Sequence, residues 1–178
     1  WLQTQYPKTF AGCWSSSPDP VDFRKTLTVN IYEDKNMFYN KDSALNPEAS
    51  IDGFFPVLYM RDAYPMERVI YRGEQMNSLN AVFSKKGKDG NPEAVCYPVT
   101  GVINPYVAEH WKSYDISLYL RTNWEQLKPD LDKKLRITTA KNDNIYLNYS
   151  VHCLYDAMKT LNATITIDTF PGDHFTVS

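Results

Sequence analysis

LRITTAKNDNIYLNYSVHCLYDAMKTLNATITIDTFPGDHF, residues 135–175, reads as strand, polar loop, helix, strand and a Gly-Asp-His turn. Leu135 to Ala140 is short, apolar and rich in β-branched residues, and Lys141-Asn142-Asp143-Asn144 follows as a polar loop. Leu147, Val151, Leu154, Tyr155, Met158 and Leu161 recur at helical spacing. Thr164 to Phe170 then alternates polar and apolar, as a strand with one buried face does. Strand, helix and strand in that length make a βαβ unit, which predicts a parallel pair with a right-handed crossover. Both strands then end on one edge of the sheet. Asp143 follows the first and His174 the second, so both fall on the edge where open α/β sheets carry their sites.

A carboxylate and a neutral imidazole brought together form a general base. The acid accepts from one ring nitrogen and fixes the tautomer, and the other nitrogen can take a proton from a nucleophile. The order acid-then-histidine, after a nucleophile upstream, is the order α/β-hydrolases use. The plainer alternative makes Asp143 a helix cap and His174 a turn residue. Shared edge and chain order together favour the catalytic reading.

Working outward, Val107, Trp111, Tyr114 and Leu118 lie on one helical face, and Trp124 and Leu127 carry the helix toward Pro129. Residues 33–104 are irregular, with repeated turn pairs at Asn46-Pro47, Asp52-Gly53, Tyr64-Pro65 and Gly87 to Pro92, and one helix is expected near Met66–Ser84. A structureless loop of that length is improbable in a compact domain, so this stretch is expected to be an inserted subdomain or lid. Thr9–Ser16 and Leu27–Tyr32 read as strands. Trp1–Tyr6 reads as the end of a helix stopped at Pro7, which suggests that part of a larger fold lies upstream.

The composition excludes several classes. The 178 residues carry 19 Lys+Arg against 21 Asp+Glu, a net charge of −2, so a basic nucleic-acid footprint is not expected. No apolar run approaches the roughly 20 residues of a membrane span. Cys13, Cys96 and Cys153 form neither a CxxC pair nor a zinc-spaced cluster with histidine, so no metal site is expected and buried thiols are the default. One disulfide plus one free thiol stays open on the count alone. The aromatic content of 14% serves core and ligand cleft equally.

Three stretches resemble the C-terminal half of an esterase D/enterochelin-esterase-like α/β-hydrolase. They are Gln3–Phe23, with Tyr6-Pro7 and Trp14 to Phe23; Asn104–Lys134, with Trp111, Tyr114-Asp115 and Trp124; and Leu135–Phe175, with Asn142 to Leu147 and Gly172-Asp173-His174-Phe175. Together they cover over half the chain, the last being the most specific. The resemblance implies the C-terminal part of an α/β-hydrolase fold, parallel strands with flanking helices and an inserted lid-like segment. Residues 1–32 would be the end of the helix behind the nucleophile plus strands, 33–104 the lid, and 105–178 the acid and histidine segment. It implies a Ser-Asp-His triad with Asp143 as acid and His174 as base, no cofactor, and a small-molecule ester as substrate. Asp173 and Asp168 are poorer candidates for the acid, one adjacent to the histidine and the other inside a strand. Trp14 and Asp19 follow a strand to the same edge, and Trp111 sits on a helix bordering the pocket, so these three are candidate substrate contacts.

The family's nucleophile lies in a Gly-x-Ser-x-Gly elbow, a motif this sequence does not contain. Ser15, Ser16 and Ser17 lack the flanking glycines. The expectation is therefore a C-terminal fragment, inactive by itself, whose serine and oxyanion donors belong to the N-terminal half of the same hydrolase. The alternative is a non-catalytic module, carbohydrate-binding or interaction-type. The carbohydrate-binding form calls for solvent-facing Tyr and Trp in a row and no Asp143–His174 contact, whereas an interaction domain would have kept the fold and lost the serine.

Overall fold

The computed structural model describes residues 1–70 and 73–176. Strands β1 (Cys13–Ser16), β4 (Leu135–Ala140) and β5 (Thr166–Phe170) form a three-stranded sheet in the order β1-β4-β5. Both pairings are parallel, with Cys13 opposite Leu135 and Ile137 opposite Ile167. β2 (Pro47–Ile51) and β3 (Phe55–Tyr59) form a separate antiparallel hairpin. The helices are α1 (Leu2–Gln5), α2 (Met60–Ile70), α3 (Glu74–Phe83), α4 (Pro105–Trp111), α5 (Ile116–Leu131) and α6 (Asn148–Thr160). The chain is thus a mixed α/β protein with a parallel sheet flanked by helices.

Alternation along the strands decides which face is buried. Cys13, Leu135, Ile137 and Ile167 point to one face and pack with Leu120, Trp124 and Leu131 of α5 and Val151, Leu154 and Met158 of α6. The opposite face carries Trp14, Arg136 and Asp168, all exposed. Parallel sheets are ordinarily covered on both faces, so this one is half-clothed. β1 also ends the sheet, and an apolar cleft of about 430 Å³ lined by Trp1, Phe83, Ile116 and Leu154 among others runs beside it.

A second core gathers Phe23, Val29, Ile31, Met37, Phe38, Met60, Tyr64, Val95, Ile103 and Trp111. It reaches beyond residues 33–104 on both sides. Much of this region is held by asparagine side chains that satisfy backbone groups in place of ladders. Asn36 Oδ1 accepts from the Phe38 N–H (2.7 Å), Asn46 Nδ2 donates to Met37 O (2.9 Å), and Asn80 Oδ1 accepts from the Val95 N–H (3.0 Å).

Three expectations are corrected. Leu27–Tyr32 is not a strand. Its alternation arises because Val29 and Ile31 plug the second core from a turn closed by a Thr26–Val29 bridge, with Leu27 at a left-handed φ of 55°. The single helix expected near Met66–Ser84 is two, with Gly73 at φ 87° between them. The helix expected to run from Val107 to Pro129 breaks into α4, a 3₁₀ turn (Lys112–Tyr114) and α5. Asp115 causes the second start: its Oδ1 accepts from the Leu118 N–H (2.7 Å), a helix N-cap. Its Oδ2 accepts from the Phe23 N–H (3.0 Å) and the Tyr32 hydroxyl (2.8 Å), which ties the two cores together. Burial pushes the Asp115 carboxyl above its ordinary range, against those hydrogen bonds. Asp22 beside it is also buried, and desolvation would raise it, but the ion pair and hydrogen bonds with Arg24 outweigh that and hold it below its ordinary range.

The three thiols, Cys13, Cys96 and Cys153, are all free, and Cys96 is buried in the second core, where desolvation pushes it up to about 12.

Candidate functional site

The parallel pairing of β4 with β5 brings the loops that follow them to one rim. There His174 Nδ1 lies 3.3 Å from Asp143 Oδ2. Asp143 is wholly buried at its side chain and His174 is 23% exposed, so the acid is shielded while the imidazole reaches solvent. Asp143 does not cap α6, whose N-cap is Leu147; its other oxygen, Oδ1, accepts from the Ile145 N–H at 3.0 Å. One carboxylate oxygen is thus fixed by its own loop and the other is left for the imidazole. With Nδ1 protonated, the ring donates to Asp143 and Nε2 carries a free lone pair.

Two further hydrogen bonds join the loops, one backbone to backbone and one through a side chain. The Asn142 N–H donates to Gly172 O (3.1 Å), and the His174 N–H donates to Asn144 Oδ1 (3.2 Å). Asp173 is committed to its own turn, its Oδ1 accepting from the N–H groups of Phe175 (3.0 Å) and Thr176 (3.1 Å). Asp168 points from the exposed sheet face.

A cavity of about 340 Å³ opens beside the pair. Its lining includes His174 and Phe175, Asp19 and Pro20, Met76 and Leu79 of α3, and Ile145 and Leu147 ahead of α6. Asp19 therefore shares a cavity with His174. Trp14 and Trp111 do not line it. Trp14 sits on β1 and alternation turns it to the open face, where it is 75% exposed. Trp111 is fully buried between Phe23 and Phe83, its indole N–H donating to Ser84 Oγ at 2.8 Å. Among the described residues no group of three His, Cys, Asp or Glu is clustered to hold a metal ion.

Reading the sequence missed the acidic lining from β2 and α2. Glu48 and Glu67 both face this cavity, and burial together with the Glu67 charge pushes Glu48 up to about 7. The folded chain thus keeps a proton on Glu48 that the unfolded chain releases near 4.5. That contribution to stability is complete below the unfolded value and is lost as pH rises through the folded one. Glu48→Gln is accordingly expected to be more stable than the parent near pH 8 by about 1–3 kcal/mol, with the gap closing near pH 4. Urea unfolding at the two pH values checks this, and a pH-independent gap contradicts it.

No family model, curated protein or solved structure matches the chain. The functional reading therefore rests on the site's own geometry.

Proposed function

We propose that this chain supplies the acid and the general base of a serine ester hydrolase of the α/β-hydrolase class. Asp143 is the acid and His174 the base, and the nucleophilic serine and oxyanion donors come from the N-terminal half of the same hydrolase. The observation that carries the reading is the 3.3 Å approach of His174 Nδ1 to Asp143 Oδ2 at the shared ends of parallel strands.

In this reaction His174 Nε2 takes the serine proton as its Oγ attacks the ester carbonyl. The imidazolium, steadied by Asp143, returns that proton to the departing alcohol. Water then repeats the sequence on the acyl-enzyme. The cavity beside His174, with Leu27, Met76, Leu79, Ile145 and Leu147 in its walls, suits an apolar portion of the ester, and Asp19 is the proposed substrate contact there. Residues of the second core, Met76 and Leu79 among them, form part of that wall, which supports a lid role for the inserted segment.

Two further features support a second half. The outer edge of β1 has no strand partner among the described residues, and the sheet face bearing Trp14 and Arg136 is uncovered. The carbohydrate-binding alternative called for no contact between Asp143 and His174, and their approach weighs against that form of it.

The test is turnover of chromogenic acyl esters. The full-length hydrolase is expected to be active, residues 1–178 alone to stay at background, and His174→Ala to reduce full-length turnover by about 10³-fold or more. Robust turnover by residues 1–178 alone, or indifference to His174→Ala, would refute the proposal.

A further inference from the structure

We infer that the β2–β3 hairpin positions the Asp143–His174 pair, with Asn144 as the positioning residue through which it acts; the catalytic consequence rests on the hydrolase reading above. The two side chains sit on loops, so no helix or strand fixes their separation directly. At 3.3 Å their contact is at the long end of a hydrogen bond, and a shift of a few tenths of an ångström would lose it.

Asn144 meets three groups at once. Its Oδ1 accepts from the His174 N–H at 3.2 Å. Its backbone carbonyl accepts from the Ser50 N–H at 2.8 Å and from the Ser50 hydroxyl at 3.3 Å. Ser50 is a buried β2 residue, 94 positions earlier in the chain. On the other side of Asp143, the hairpin tip rests on Asn142. Gly53 has φ 73°, and a Cβ there would stand 3.1 Å from Asn142 Cα and 3.3 Å from its carbonyl carbon. Glycine is therefore required twice over, by its backbone conformation and by the closeness of the acid loop. Asp143 is held between Asn142 and Asn144, and both of its neighbours bear on the hairpin. A displacement of the hairpin reaches the acid and, through Asn144, the histidine loop.

The experiment uses the full-length hydrolase with Gly53→Ala, Asn144→Ala, Asn144→Asp and Asp52→Gly. Ester turnover is read together with the His174 tautomer from ¹⁵N–¹H correlation spectra. Gly53→Ala and Asn144→Ala are expected to lower kcat by about 10- to 100-fold with KM nearly unchanged. Both should convert His174 from the Nδ1–H form to a mixture of tautomers, which a loss of stability alone would not do. Asn144→Asp keeps the acceptor and should retain the Nδ1–H form. Asp52→Gly relieves a φ of 54° without adding an atom and should leave both readouts as in the parent.

Folded Asn144→Ala protein with parental tautomer and kcat would overturn the inference, even if Gly53→Ala fails to fold. Turnover that depends on His174 yet ignores both variants would overturn the positioning role alone. A tautomer shift in a protein whose parent has no esterase activity would uphold the positioning role and overturn the hydrolase reading.

Discussion

If the proposed ester-hydrolase role holds, Asp143→Asn in the full-length protein is expected to lower kcat by about 10⁴-fold while leaving the fold intact. The carboxylate accepts from the imidazole. An amide in its place can instead donate its N–H to Nδ1, which stabilises the tautomer protonated at Nε2. That nitrogen could then no longer take the serine proton. The rest of the loop should survive, because the asparagine Oδ1 can still accept from the Ile145 N–H that Asp143 holds at 3.0 Å. Steady-state kinetics beside a thermal melt measure both quantities. A loss below about tenfold would mean that Asp143 is not the orienting acid.

Trp111→Ala is expected to cost about 3–5 kcal/mol of stability. The ring is fully buried, with Phe23 and Phe83 each 5.3 Å away between centroids, and it donates to Ser84 Oγ. Truncation leaves a cavity between two aromatic rings and deprives a hydroxyl of its donor. Urea unfolding should show the midpoint fall sharply. A change under about 1 kcal/mol would show that the second core closes around the gap.

The sheet segment was legible because its periodicities are clean. The stripe from Leu147 to Leu161 and the alternation from Thr164 to Phe170 have a single interpretation, and the parallel pairing of β4 with β5 follows from them. The Asp143–His174 juxtaposition was legible for the same reason, since topology alone delivers both loops to one rim. The second core was not, because isolated bridges, loop hydrogen bonds and asparagine side chains hold it in place of the ladders whose pattern a sequence displays. Val29 and Ile31 imitate a strand, although they are two core plugs on a turn.

Trp14 and Trp111 show the opposite difficulty. Aromatic residues serve core, open face and pocket alike, and only the pleat of β1 and the packing around Phe23 separate the roles. The hairpin did leave a signal in Asp52-Gly53. Asp-Gly between apolar runs favours a turn with both central residues left-handed, and their φ values are 54° and 73°. Pro47 and Pro56 in its strands obscured that signal. Asn144 and Ser50 had no sequence mark at all, because their contact joins segments 94 positions apart.

In the proposed reaction His174, oriented by Asp143, activates a serine carried by the other half of the protein. Fluorophosphonate labelling of the full-length protein, followed by peptide mass spectrometry, locates that serine. One labelled serine is expected outside residues 1–178, with labelling abolished by His174→Ala. A label on Ser15, Ser16 or Ser17, or labelling that persists without the imidazole, would contradict that reaction.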